Sequence, residues 1–177
     1  MLPPGHAAGG YLTGVLCAHL FNSNPEETKL LHFLGVAGGL LPDLELPARL
    51  LLEIVAAVPP DIQHHTWFSH TYPFFLIPGG LLTWWARRKR HHRLAKGAAV
   101  VSAATVTHLT QDMIGTGDGV QLLFPFSKRM FGVRLFGVHG REWSSRYRRD
   151  PIFAVEIAFV LVALSVFLRR AIKLSTK

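Results

Sequence analysis

A chain of 177 residues with 49% hydrophobic residues and a net charge of +8 fits one domain, residues 1–177. The lone cysteine, Cys17, excludes an internal disulfide and a cysteine-only metal site. The basic residues stand in short blocks beside apolar stretches, which favours anionic lipid head groups over nucleic acid as their partner.

The first predicted helix covers Ala7–Phe21, and its glycines Gly9, Gly10 and Gly14 suit close helix packing in a membrane. No basic segment precedes it, so a cleaved signal peptide is not expected, and Leu16 is too large to precede a lipid-modified cysteine. The second helix has a clear start: Asn24 as N-cap, Pro25 at the first helical position, then Glu26 and Glu27 in the first turn. It stops at Pro42-Asp43. Pro47–Val58 mixes apolar residues with Arg49 and Glu53, as a segment lying along the interface would, and Pro59-Pro60 break it. The polar and aromatic stretch His64–Thr71 leads into an apolar segment, Thr71–Ala86. That segment closes on Trp84 and Trp85 and then on Arg87, Arg88, Lys89 and Arg90, an aromatic belt followed by a stop signal. Leu94–Ile114 is the next span, ended by a turn at Gly115, Gly117 and Gly119. A long amphipathic segment, Val120–Asp150, precedes the last span, Pro151–Leu168, interrupted only by Glu156. The expectation is an all-α integral membrane protein of about five helices, three to five of them crossing the bilayer as a multi-pass chain.

Counting crossings places His6, Asp43, His65, His70, His108 and Asp112 at one membrane face. The Arg87–Lys96 block and the Arg169–Lys177 tail fall at the other, which the positive-inside tendency makes cytoplasmic. Lys128, Arg129, Arg134, Arg141, Arg146, Arg148 and Arg149 lie on the histidine side and reduce that asymmetry, partly offset by Glu142 and Asp150.

Imidazole and carboxylate are the ligand types of a hydrolytic zinc or manganese centre. His108 and Asp112 are four residues apart on one helix face, and an Asp inside an apolar span needs a partner or a metal; a structural His–Asp hydrogen bond is the plain alternative. His65 and His70 stand just before a span, with Trp67 and Phe68 to exclude water, and His64 is an equivalent choice to His65. Asp43, with Glu45 two residues on, reads by itself as a helix stop, and His6 by itself as an interfacial histidine. His139, near Arg141, is a candidate for contacting substrate or a ligand. Ser69 and Ser127 lack the G-x-S-x-G elbow of a serine hydrolase, and no nucleotide-type glycine loop is present.

Together these segments resemble the LexA-binding, inner membrane-associated hydrolases, also called membrane-bound metal-dependent hydrolases. The resemblance runs through His6, the segment GVAGGLLPDLE at Gly35–Glu45, HTWFSH at His65–His70, and HLTQDMIGTGDGVQLLFPFS at His108–Ser127. It departs at Thr66 and Trp67, where the family has Arg-Gly, at Glu45 for the second acid, and at Gly117 for a proline. It selects His65 over His64. That family is similar, more distantly, to the all-helical zinc phospholipase C and P1 nuclease group.

The resemblance implies a divalent metal, zinc first and manganese or another ion next, held by His6, Asp43, His65, His70, His108 and Asp112. Glu45 and Asp112 are the candidates for proton transfer. The expected activity is hydrolysis of an ester, most readily a phosphoester of a lipid or lipid-linked substrate, with membrane lipids and a protein partner as associates. The rival expectation is a metal-binding or partner-binding regulatory membrane protein without catalysis.

Overall fold

The computed structural model describes residues 1–47, 51, 55, 64–115, 119–133 and 145–175. Most of the expected interfacial segment Pro47–Val58, the break at Pro59-Pro60, Gly117, His139 and Arg141 lie outside these residues. Among the described residues the protein is helical, without strands; one antiparallel bridge joins Val120 to Phe131.

Helix α1 spans Pro3–Leu20 and so begins four residues before the expected Ala7. Pro3 and Pro4 occupy the first turn, where a missing backbone N–H leaves no hydrogen bond unmade. His6 therefore sits within α1 rather than ahead of it. Asn22, at a left-handed φ of 47°, turns the chain towards α2, Pro25–Leu40. The Asn24 side chain accepts from the Glu27 N–H at 2.9 Å, as the sequence predicts. A short 3-10 turn, Pro42–Leu44, follows. Two more, His64–Thr66 and Phe68–His70, lead into α3, Tyr72–Arg88, and then come α4, His92–Gly115, and α5, Ile152–Ser175.

The close approach of α1 to α2 explains their glycines. A Cβ on Gly10 would lie 2.3 Å from the Gly35 carbonyl oxygen, and one on Gly14 would lie 2.5 Å from that of Leu31. Only hydrogen side chains let the two backbones meet like this. Helix α4 packs behind them, where a Cβ on Gly38 would reach within 2.8 Å of the Val101 carbonyl oxygen. One apolar cluster joins Ala18, Leu31 and Val100, and a second joins Leu109, Val120 and Leu122 beneath the site.

The outward surface is apolar: Leu16, Phe33, Leu81, Trp84, Leu161 and Phe167 are all more than half exposed. Among the described residues, Ile152–Lys173 in α5 is the one helix long and apolar enough, by length and composition, to cross a membrane, and only 11% of its most apolar window is buried. The expectation of three to five spans met a physical obstacle at the other helices. Helices α2 and α3 are only 16 and 17 residues long, α1 is rich in glycine, and α4 carries Thr105, Thr107, His108, Gln111 and Asp112 in its second half. Small and polar residues that serve packing between helices lower the hydropathy that marks a span.

Candidate metal centre

The centre lies at the end of the bundle where α1 begins, α2 ends and α4 ends. Helix periodicity fixes His108 and Asp112 one turn apart on the face of α4 that meets α1 and α2. The first turn of α1 contributes His6, the 3-10 turn after α2 contributes Asp43, and the turns before α3 contribute His65 and His70. A backbone bond from the Gln121 N–H to the His65 carbonyl and another from Tyr72 to Leu122 tie the 65–72 stretch to the segment after α4.

Ligand-type atoms of His6, Asp43 and His108 lie within 4.8 Å of one another, as do those of His65, His70 and Asp112. The two triads adjoin. Asp43 Oδ1 is 3.7 Å from both His70 Nε2 and His108 Nε2. Asp112 Oδ2 is 2.9 Å from His108 Nε2, 3.7 Å from His70 Nε2 and 3.8 Å from His65 Nε2. Its other oxygen, Oδ1, lies 3.1 Å from His6 Nε2 and 2.6 Å from the Met1 amine. All six residues expected from the sequence thus meet in one cluster, and five of them are buried, Asp43 being partly so.

A hydrogen bond assigns the tautomer of His108. His108 Nδ1 lies 2.7 Å from the Gly39 carbonyl oxygen, which can only accept, so Nδ1 carries the proton. Gln111 Nε2 donates to the Gly5 carbonyl at 3.1 Å, which turns its Oε1 towards His6 Nδ1 at 3.2 Å, while His6 Nε2 lies 3.1 Å from the Met1 carbonyl oxygen, so both nitrogens of that ring face acceptors. In its neutral form the His108 ring then aims the Nε2 lone pair at the Asp112 carboxylate. The His108 Nε2–Asp112 Oδ2 contact of 2.9 Å is short enough for an ion pair, yet neither atom has a hydrogen bond of acceptable geometry among the described residues. The rings of His6 and His108 are stacked with centroids 3.7 Å apart, so charging both would set two buried cations face to face. A divalent cation would satisfy the His108 lone pair and the carboxylate at once, and imidazole and carboxylate are donors of the type that holds zinc or manganese.

Glu45 is buried with its Oε2 3.4 Å from His70 Nδ1, on the ring edge away from the cluster. Ser69 Oγ lies at the same distance from that nitrogen. His64 lies next to His65, but its side chain is not among those described.

Four contributors escaped the sequence reading. The Gly39 carbonyl and Gln111 orient His108 and His6. The third and fourth are Glu156 and Tyr147. Glu156 is a buried carboxylate of α5 that accepts from the Leu2 N–H at 3.1 Å and from the Tyr147 hydroxyl at 2.5 Å, tying the start of α1 to α5. Burial, reinforced by the Glu156 carboxylate, pushes the Tyr147 hydroxyl well above the usual tyrosine range and keeps it a donor. An acid within an apolar span was the available signal for Glu156. A backbone carbonyl gives none.

The chain belongs to the YdjM inner membrane protein family, whose profile matches residues 1–174. No curated protein and no solved structure matches it. Membership makes this an inner-membrane protein, associated with membrane lipids.

Proposed function

We propose that this inner-membrane protein is a metal-dependent hydrolase of an ester, most readily a phosphoester of a lipid or lipid-linked substrate, working through one or two divalent ions, with zinc the first choice. The carrying observation is His108, whose proton-bearing Nδ1 donates to the Gly39 carbonyl so that its Nε2 faces the Asp112 carboxylate, with the Nε2 atoms of His6, His65 and His70 within 4 Å of the same carboxylate. Histidine ligands of metals commonly donate their other ring nitrogen to a carbonyl or carboxylate in this way.

In this reading His6, His65, His70, His108, Asp43 and Asp112 hold the metal, with the two aspartates lying between the triads. A divalent ion supplies Lewis-acid polarisation of the ester oxygen and lowers the pKa of a water from its bulk value to about 7. Glu45 orients His70 through Nδ1 and is a positioning residue rather than the proton acceptor; Asp112, contacted by four histidines and the Met1 amine, serves as a ligand rather than as a base. Resemblance to the membrane-bound metal-dependent hydrolases supports the reaction class.

The same reading makes the chain multi-pass, with α1–α4 crossing alongside α5. The exposed apolar side chains of α1, α2 and α3 support it, because a bundle surrounded by water would bury them. The Arg87–Arg93 block lies at the end of α3 remote from His70, so the positive-inside tendency puts the centre at the non-cytoplasmic face. Lys128 and Arg129 on the centre's side suit an anionic head group.

Elemental analysis of detergent-purified protein tests the centre. The wild type should carry metal in whole-number stoichiometry, and His108→Ala and Asp112→Asn should lose most of it while keeping helical circular dichroism. A metal-free wild type overturns the proposal. Chelator-sensitive turnover on a panel of phospholipids and phosphodiesters tests catalysis. The observation favouring the rival, non-catalytic reading is the complete burial of His70 and His108, and metal retained without turnover would establish that rival.

A further inference from the structure

At the opposite end of the bundle, thirteen residues along α1 from His6 and so about 20 Å away at the helical rise, an open cavity of about 410 Å³ is lined by Ala18, His19, Asn22, Ser23, Thr28 and Arg170. It lies where α1 ends, α2 starts and α5 finishes. Five of its six lining side chains are polar, unlike the apolar flanks of the same helices.

Three features suit an anion. Arg170 brings a guanidinium to the rim, and its Nη1 lies 3.4 Å from His32 Nε2, which steadies the side chain over the cavity. Ser23 Oγ is buried and finds no hydrogen-bond partner among the described residues, so a hydroxyl that lines the cavity awaits one. Thr28 Oγ1 donates to the Ser23 carbonyl, which closes the floor without using the Ser23 hydroxyl. The nearest acids of α2, Glu26 and Glu27, face Arg93 and Lys96 instead: Glu27 pairs with Lys96 at 2.7 Å, and Glu26 with Arg93 at 3.4 Å. The lining therefore offers an Arg, a histidine, an Asn amide and a free hydroxyl, with no carboxylate of its own.

We propose that this cavity is a binding site for a phosphate group, distinct from the metal centre and at the other face of the membrane. Arg170 binds the phosphate oxygens through charge-assisted hydrogen bonds, and Ser23, Asn22 and His19 complete the shell. A volume of this size lies in the range of small-ligand sites and takes a phosphoglycerol head group as readily as free phosphate. The two sources share one chemistry and differ in whether an acyl chain runs down the exposed apolar side of α5.

Native mass spectrometry of the full chain, released from nanodiscs containing equal phosphatidylglycerol and phosphatidylcholine, tests the site. The wild type should retain one phosphatidylglycerol in preference to phosphatidylcholine. Arg170→Gln should weaken that retention about tenfold, as loss of a charge-assisted hydrogen bond implies. Ser23→Ala should weaken it less, and Arg169→Gln, one residue outside the lining, should leave it unchanged. Excess inorganic phosphate in the release buffer separates the sources: displacement of the lipid, or phosphate bound in its place, marks a site for the free anion as well, whereas retained lipid marks a lipid site. Equal retention of the two lipids together with no bound phosphate overturns the proposal, as does equal loss in Arg169→Gln and Arg170→Gln. None of these readouts depends on the metal centre.

Discussion

Substituting Gly35 by alanine tests how closely α1 and α2 approach. A Cβ at this position lies 2.3 Å from the Gly10 carbonyl oxygen and 2.9 Å from the Gly14 Cα. An ordinary carbon–oxygen contact is about 3.3 Å, so the helices must part by about 1 Å at their crossing. Both offending atoms are backbone, and no side-chain rotation relieves the clash. Overpacking of this kind costs about 1–3 kcal/mol, and the better helix propensity of alanine returns up to about 1 kcal/mol. A net loss of about 1–2 kcal/mol follows, or about 2–8 °C in melting temperature for a chain of this size. Gly80→Ala is the internal control, because a Cβ there meets nothing within 4 Å and only the propensity gain remains. Thermal unfolding in detergent, followed by tryptophan fluorescence, should place Gly35→Ala below wild type and Gly80→Ala at or above it. The parting of α1 from α2 should also weaken metal retention, since Gly39, one turn beyond Gly35, supplies the carbonyl that orients His108. If Gly35→Ala melts at or above the wild-type temperature, the reasoning from backbone contact is refuted.

Glu45→Gln removes the charge beside His70 Nδ1 while leaving the six ligands intact, so metal affinity should fall about 10–100-fold rather than vanish; competition against a chelator of known affinity measures it, and an unchanged affinity removes Glu45 from the centre. Tyr147→Phe deletes the hydroxyl bonded to Glu156 and should destabilise the chain by about 1–2 kcal/mol; an unaltered unfolding midpoint would mean that this contact does not brace the turn before α5 against that helix. With Cys17 replaced by Ala, single cysteines introduced at Arg90 and at Ser127 should react with a membrane-impermeant thiol reagent from opposite sides of sealed vesicles. Labelling from the same side would contradict the multi-pass reading of α3 and α4.

Much of the helical framework could be read directly from the chain. The Asn24-Pro25-Glu26-Glu27 signal sets the start of α2 within a residue, because capping is a local interaction. The segment Thr71–Ala86 became Tyr72–Arg88 and Leu94–Ile114 became His92–Gly115, each within two residues at either end, since apolar runs bounded by charge leave little freedom. The start of α1 was less visible. Pro3 and Pro4 fill its first turn, so His6 lies inside the helix rather than ahead of a start at Ala7.

The order of residues alone determined the helical class, the glycine faces and the chemical types of the six candidate ligands, because these depend on side chains and their immediate neighbours. Glu156 showed in the sequence only as an interruption of an apolar span, and the polar lining around Arg170 as a scatter of ordinary surface residues. Tertiary structure decided which atoms meet. It turned His6 and His108 into one stacked pair, put Glu45 behind His70 rather than beside the open ligands, and brought Leu2 and Tyr147 to Glu156. Two of those contacts, His6 with His108 and Leu2 with Glu156, join residues more than a hundred apart, the second through a backbone N–H. No local pattern encodes a distance of that kind; it arises only when glycine-lined helices close on one another.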